Sequence, residues 1–502
     1  KTDDSTIAAP SEGKRLAIRS AIMVSALTLI GSLGFFARDF LMTRWFGMGS
    51  EMDSFVLGAM LPMLLVTVFA VPAGAAIIPI YTSQHHDHPE HTNRFLLSAA
   101  IALSGLLAML ALALYIFLPQ LFTLLNWHYS VAEFAVISDI THIYLLILWI
   151  GGLTILGNAA LTAIDKVTFP TVAQLVVPVI AFIALILFGT RYSIYPVAYA
   201  MLIGATANLI LVIYALNRNK LLPTQLDCAL ITFSQLPVRQ YTFLMITALS
   251  SALLIPIANS MAATLTIGSV AIISLGIKVM LLITGVIGIG INTVLLPYFS
   301  KLIAKLEHTQ AQSDFAFFLL LLTLLSVPAT LLLTFLVEPM ISILFANSKL
   351  TEHDLISLSK VIEYGVVQLP FFASALVASK YIAAHQRSSV IMLAALFGLI
   401  VTLTFGSILS KTIGVAGISL AMTLASAISA SILVLYTNHL RHLSIMDSIF
   451  IGFNWMIFLT LFLFMHYQLY VGLFITAIAY VVLVAGNWYA LINEWQYTEQ
   501  AA

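Results

Sequence analysis

The sequence predicts an all-α polytopic membrane protein with about 14 transmembrane helices. Of its 502 residues, 61% are hydrophobic and 8% are charged, and the mean hydropathy is +1.05. Soluble domains carry about 25% charged residues. The apolar residues are grouped into segments of membrane-spanning length, and the loops between them are too short for a soluble domain.

A helix needs about 20 mostly apolar residues to cross the hydrocarbon core of a bilayer. Fourteen segments meet this requirement. They are 16–37, 53–80, 94–118, 136–163, 168–190, 193–216, 239–262, 266–298, 314–340, 358–385, 388–410, 412–440, 446–466 and 467–491.

The distribution of basic residues predicts the orientation, because Lys and Arg are enriched in cytoplasmic loops. With the N-terminus in the cytoplasm, 14 of them lie on the inner side, six on the outer side, and Lys278 inside a span. We therefore expect both termini to be cytoplasmic. The first 15 residues are polar and lead into a span that is too long for the apolar region of a signal peptide.

Two similar segments indicate an internal repeat. Spans 2 and 8 end in AAIIPIYTS (75–83) and NTVLLPYFS (292–300), so Pro79 and Pro297 are 218 residues apart. Two copies separated by six spans have the same orientation, as in transporters built from two parallel bundles; a chance match is the alternative. The predicted organisation is a cytoplasmic tail (1–15), an N-lobe (16–216), a linker (217–238), a C-lobe (239–440), two further spans (446–491) and a second tail (492–502).

Composition and motifs exclude several functions. Lys and Arg number 21, as do Asp and Glu, and no basic run offers a footprint for nucleic acid. The single cysteine, Cys228, leaves no disulfide framework. The run HHDHPEH (85–91) has metal-binding side chains, but a solvated polar loop explains it without a metal. Since no nucleotide loop, HExxH motif or nucleophile beside a base occurs, we predict no enzyme activity, metal or cofactor.

Charges inside apolar spans are candidates for function, because each costs about 2.5–3.5 kcal/mol at a helix centre. Lys278 lies near the middle of span 8, and snorkelling to the membrane surface is the alternative explanation. Glu363 lies one turn into span 10 and is a candidate for ion coupling. A surface ion pair with Lys360, three residues earlier, explains Glu363 equally well.

The stretch GFFARDFLMTRWFGMGSEMDSF (34–55) concentrates five charges where span 1 ends and span 2 begins. A solvated outer loop accounts for Arg44 and Glu51. Arg38, Asp39 and Asp53 flank apolar helix, so a solvated loop does not explain them.

The same region carries a family resemblance. Segment 33–65, LGFFARDFLMTRWFGMGSEMDSFVLGAMLPMLL, resembles the start of the MurJ/MviN family of the multidrug/oligosaccharidyl-lipid/polysaccharide (MOP) superfamily. The family pattern there is L-G-F-x-R-D, a short apolar run, F-G-x-G, D-A-F and L-P-N. LTAIDKVTFPT (161–171) and GIKVMLLITGVIGIGINTVLLPYFSK (276–301) are similar to the family's connection between spans 4 and 5 and to its span 8.

The resemblance implies a flippase that moves an undecaprenyl-diphosphate-linked saccharide, such as the peptidoglycan precursor lipid II, from the inner to the outer leaflet. It implies two six-helix lobes in a V-shaped arrangement, a cationic central cavity, and a groove for the lipid tail beside spans 13 and 14. Arg38, Asp39 and Asp53 match outer-side charges of functional importance in the family, and Arg44 matches a recurrent basic position. Lys278 replaces a cavity arginine and lacks the planar fork that binds a diphosphate in two places.

The chain also departs from the family pattern. Ser32, Val66 and Thr67 stand where the family has arginines, and AVPAGA (70–75) replaces A-E-G-A. A cavity with fewer cations leaves the substrate open between lipid II and the repeat unit of an exopolysaccharide or O-antigen. Two different classes of function also stay open, a cation-coupled, MATE-like exporter of small amphipathic molecules and a scaffold without transport activity. Spans 13 and 14 favour the flippase.

We expect alternating access in the bacterial inner membrane. Lys278 and Arg38 are expected to bind the substrate, and Arg38, Asp39, Asp53 and Arg44 to form an outer gate. The membrane potential supplies about 2.3 kcal/mol per charge per 100 mV to an anion that moves outward; a coupling ion at Glu363 or Asp39 is the alternative. The expected partners are the polyprenyl-linked saccharide and membrane lipids, and the expected oligomeric state is a monomer.

Overall fold

The computed structural model describes residues 12–84, 89–125, 127, 129–164, 166–188, 193–222 and 238–440, and these residues are helical apart from short connections. Contacts between residues divide the chain into two compact units that meet in sequence between Ala252 and Leu253. The lobe and linker boundaries expected from the sequence stay predictions.

The first unit is organised around one long helix, α5, which packs against four neighbours: α2, α3, α4 and α8. A central, largely apolar helix of this kind needs no polar face, because other helices cover it. The elements of the unit are α1 (Glu12–Phe46), α2 (Ser50–Leu65), a π-helical segment (Val66–Ala70), α3 (Val71–Gln84), α4 (Pro89–Leu124), α5 (Val131–Ala163), α6 (Thr168–Gln174), α7 (Val176–Phe188), α8 (Tyr195–Arg218) and α9 (Val238–Ala252).

The second unit is built around α14, which packs against α11, α12 and α16. Its core contains the aromatic rings of Phe299, Phe315 and Tyr381, all at most 1% exposed. The elements are α10 (Leu254–Ala262), α11 (Ser269–Ala304), α12 (His308–Leu344), α13 (Glu352–Val366), α14 (Leu369–Ala384), α15 (Ser388–Ile413) and α16 (Val415–Leu440).

Eleven helical stretches of the described chain are long and apolar enough to cross a membrane. Ser269–Gly285 of α11 is a shorter apolar stretch. These helices confirm the prediction of an all-α, multi-pass membrane protein. The predicted spans 446–466 and 467–491 lie outside the described residues, as do Cys228 and residues 85–88 of the histidine-rich run.

Several predicted spans are interrupted close to a proline. One residue separates α6 from α7 three positions before Pro178, and one residue separates α9 from α10 three positions before Pro256. The break between α13 and α14 is two residues long and begins three positions before Pro370. Proline cannot donate to the carbonyl four residues earlier, and its ring clashes with that carbonyl, so the helix is broken just before it. By contrast, the glycine-rich run 284–292 lies within the uninterrupted helix α11.

Corresponding contacts recur in the two units. Gly58 of α2 packs against Ile140 of α5, and Gly276 of α11 packs against Val361 of α13. These glycines are 218 residues apart, the same spacing as Pro79 and Pro297. α5 and α13 also begin in the same way, with capping boxes formed by Ser130 with Glu133 and by Thr351 with Asp354. The similar packing supports the internal repeat indicated by the sequence.

Candidate functional site

Arg38 and Asp39 form a buried ion pair within α1. The Arg38 Nε and Nη2 atoms donate to the same oxygen, Asp39 Oδ1, at 2.9 and 2.5 Å. The two residues are 7% and 2% exposed. Burying an ion pair is favourable only when further hydrogen bonds satisfy the charged groups. The groups around the pair therefore decide whether its burial is favourable.

Three other side chains surround the guanidinium. Its Nη1 atom donates to the sulfur of Met201 in α8 at 2.9 Å. The Phe35 ring lies 5.5 Å from Arg38 Cζ, which is within the range of a cation–π contact. Tyr144 of α5, itself 3% exposed, interacts electrostatically with both Arg38 and Asp39. The pair is thus held from α1, α5 and α8.

Asp53 is the third buried charge of the first unit and lies in the first turn of α2, fully buried. Its backbone N–H donates to the Gly49 carbonyl at 3.0 Å. Burial, Asp53 and Glu133 together raise the pKa of Tyr129, a residue of the connection between α4 and α5. Among the described side chains, Arg38, Asp39 and Asp53 are the charged ones that are buried.

Two carboxylates near these helix ends accept hydrogen bonds from hydroxyl groups. Ser193 Oγ donates to Glu51 at 3.2 Å, and the Tyr195 hydroxyl donates to Asp139 at 3.1 Å. Arg44 lies in the last turn of α1 and is half-buried. We call the part of the first unit defined by Arg38, Asp39, Glu51, Asp53 and Asp139 the charged end.

Lys278 lies in α11 of the second unit and is half-buried. Two residues before it, Gly276 packs against Val361, and two residues after it, Met280 contacts Gly365. Residues two apart on a helix differ by about 200° in direction. Lys278 therefore projects away from the contact between α11 and α13, and it lies within the apolar stretch Ser269–Gly285 of α11.

Glu363 is half-buried in α13. Glu338 of α12 and Lys360, one turn earlier on α13, are the charged groups that act on it. Glu363 is two residues from Val361, so it projects away from α11. The structure accordingly separates Glu363 from Lys278, which project from opposite sides of the α11–α13 contact.

Sequence reasoning missed Met201 and Tyr144, two uncharged residues that surround Arg38. Met201 looks like an ordinary apolar residue of span 6 and is 163 residues from Arg38 in sequence. Tyr144, as a polar residue inside a span, carried a weak signal that could have been used. Among the described residues, no group of three or more His, Cys, Asp and Glu side chains could hold a metal ion.

The family model described as Lipid II flippase MurJ matches residues 42–489 of the chain. The chain belongs to the lipid II flippase MurJ family. Lipid II flippase MurJ proteins are transporters, so this chain is a transporter and not an enzyme. The probable lipid II flippase MurJ of Buchnera aphidicola subsp. Baizongia pistaciae is 24% identical to it over 428 residues, which is 82% of each chain.

Two solved structures share the fold. A lipid II flippase MurJ in an inward closed conformation has a TM-score of 0.76 and 19% identity, covering 94% of this chain and all of that one. An inward-facing MATE family multidrug transporter of the MOP superfamily has a TM-score of 0.70 and 14% identity, covering 84% of this chain and 97% of that one. The MOP superfamily fold expected from the opening stretch is confirmed.

Proposed function

We propose that the protein is a flippase that moves an undecaprenyl-diphosphate-linked saccharide, lipid II or a related glycan precursor, from the inner to the outer leaflet of the bacterial inner membrane. The observation that carries this proposal is the match of the MurJ family to residues 42–489 of a multi-pass helical protein. The match extends over the region of the two predicted C-terminal spans, which a twelve-span exporter does not need. It therefore favours a lipid-linked substrate.

The charges inside the helices suit an anionic headgroup. Lys278 is half-buried in the apolar stretch of α11 and can neutralise part of a diphosphate as a point charge. Arg38, held by Asp39, is the second cation of this kind. We propose that transport is by alternating access, with the charged end at the outer face and both termini in the cytoplasm. The charged end then acts as a gate, since its Arg38–Asp39 ion pair is strong only while water is excluded.

The saccharide is not fixed by these residues. Ser32 and Thr67 are exposed and uncharged, and the family resemblance places arginines at both positions. Fewer cations give a weaker grip on a diphosphate, so the repeat unit of an exopolysaccharide or O-antigen is the second candidate substrate. A small amphipathic molecule, exported in the MATE manner, is the third. The likeness to a MATE transporter concerns the fold.

The membrane potential is the proposed source of energy. An anionic headgroup that leaves a negative interior gains about 2.3 kcal/mol per charge per 100 mV. Glu363, half-buried beside Glu338, is the candidate for an additional coupling ion. The proposed partners are the lipid-linked saccharide and membrane lipids, and the proposed state is a monomer.

Complementation tests the proposal. The protein is expressed in bacteria depleted of their own lipid II flippase, and outer-leaflet precursor is measured by its cleavage with an externally added, membrane-impermeant hydrolase. We expect wild-type protein to restore delivery and Lys278→Ala to abolish it, whereas Lys411→Ala, an exposed lysine at the end of α15, should have no effect. Normal expression without delivery would overturn lipid II as the substrate, and other lipid-linked glycans would then be tested in the same way.

A further inference from the structure

In the Arg38–Asp39 pair, the Nη1 edge of the guanidinium makes no hydrogen bond to Asp39. Neighbouring residues on a helix point about 100° apart and do not normally face each other. The Arg38 side chain is folded back towards Asp39, so that Nε and Nη2 both donate to one oxygen, Asp39 Oδ1. The Nη1 edge is turned away from Asp39 and towards α8.

Met201 of α8 occupies that edge with its thioether sulfur, 2.9 Å from Nη1. A thioether is a weak acceptor, and methionine has three rotatable bonds. A guanidinium carries five N–H donors, and Met201 and Asp39 together accept from three of them. Two donors, one on Nη1 and one on Nη2, have no acceptor among the described residues, although Arg38 is 93% buried.

We propose that Met201 is a positioning residue for Arg38. Its sulfur holds the Nη1 edge in a contact weak enough to be exchanged for an oxyanion of the substrate. The inference rests on the proposed function, because the oxyanion is supplied by the diphosphate of the lipid-linked saccharide. A buried arginine with a strong protein acceptor on every donor could not be released in this way, since hydrogen bonds between charged groups are about twice as strong as neutral ones.

Two substitutions change the acceptor while keeping the size of the side chain. Met201→Gln supplies an oxygen acceptor of similar reach, and we expect it to slow transport about tenfold and to raise the unfolding temperature. Met201→Leu fills the same space without an acceptor, so the Nη1 edge loses its contact; the variant should slow transport about threefold and unfold at a slightly lower temperature. Met63→Gln, at a half-buried methionine of α2, is the matched control for a new amide and should not slow transport.

A double-mutant cycle with Arg38→Lys shows whether the effect passes through Arg38. Lysine lacks the Nη1 edge, so Met201→Gln should no longer change either the unfolding temperature or the rate in that background. Equal behaviour of the Gln and Leu variants, or an unchanged effect of Gln in the Arg38→Lys background, would overturn the proposal. The unfolding temperatures can be measured without substrate, so they test the contact between Met201 and Arg38 separately from transport. If the temperatures show coupling between residues 38 and 201 but the protein flips no glycan, the proposed function is overturned and the positioning of Arg38 by Met201 stands.

Discussion

Gly58 of α2 lies directly against Ile140 of α5. A Cβ atom added at Gly58 would stand 2.7 Å from the Cβ of Ile140 and 2.9 Å from the Ile137 carbonyl oxygen. The Thr141 hydroxyl donates to the Gly58 carbonyl at 3.2 Å. The close approach of the two backbones thus brings Asp53, five residues before Gly58, into the buried part of the first unit.

Gly58→Ala should destabilise the protein, because the added methyl group has no space. Overpacking of this kind costs about 1–3 kcal/mol, and Gly276→Ala should behave alike, since a Cβ there meets Val361. Thermal unfolding in detergent measures both. Gly105→Ala is the control, because nothing lies within 4 Å of a Cβ at that position. Unfolding temperatures that are equal for all three variants would show that the helices move apart at little cost.

The fold was predictable because membrane spans impose strong constraints on composition. Span length and apolar content follow from the thickness of the bilayer, so α4, α5 and α8 fall where the sequence placed spans 3, 4 and 6. The prolines were visible as well, but the sequence does not show which of them breaks a helix. Pro119 and Pro328 lie inside continuous helices, where neighbouring helices can satisfy the freed carbonyls.

The charged end was predictable in part. Arg38, Asp39 and Asp53 attract attention because charges at helix ends in an oily chain are expensive. Met201 and Tyr144 come from other helices, and their contacts with Arg38 depend on how α5 and α8 pack. Hydropathy carries no information on such tertiary contacts, so no inspection of the opening stretch alone could have found them.

Buried hydrogen bonds join α3, α4 and the turn after α8 in the first unit, and their loss should be measurable. The Tyr81 hydroxyl donates to Asn93 Oδ1 at 2.8 Å, and Asn93 Nδ2 donates to the Lys220 carbonyl at 2.9 Å. Tyr81→Phe leaves the buried Asn93 oxygen without this donor, so we expect a loss of about 1–3 kcal/mol in the free energy of unfolding. Tyr199→Phe, at a 54% exposed tyrosine, should change nothing. A Tyr81→Phe protein as stable as wild type would show that water replaces the hydroxyl.

Removing one charge of the Arg38–Asp39 ion pair should lower the free energy of unfolding more than removing both charges. Asp39→Asn leaves the Arg38 charge buried without its carboxylate, and breaking a buried pair in this way costs about 3–5 kcal/mol. The double variant Arg38→Gln with Asp39→Asn carries no charge and should recover most of that stability while remaining unable to transport. Asp139→Asn, at an exposed carboxylate, is the control and should change stability by about 1 kcal/mol at most. Transport by the neutral pair would contradict a role of these charges in the gate.

Substitution of Glu363 in the second unit should affect stability and ion coupling in opposite directions. Its carboxylate is half-buried and is repelled by Glu338, with Lys360 as a partial offset. Glu363→Gln removes a charge from this unfavourable position, so it should stabilise the protein by about 1 kcal/mol. Glu352→Gln, in the first turn of α13, should instead destabilise it slightly, because a negative charge is favourable at a helix N-terminus.

The role of Glu363 in ion coupling is tested by measuring flipping by the Glu363→Gln protein in vesicles. The vesicles carry an imposed potential, with or without a Na⁺ or proton gradient. We expect the response to potential to persist and any stimulation by the ion gradient to vanish. Stimulation by the gradient that survives the substitution would exclude Glu363 as the coupling site.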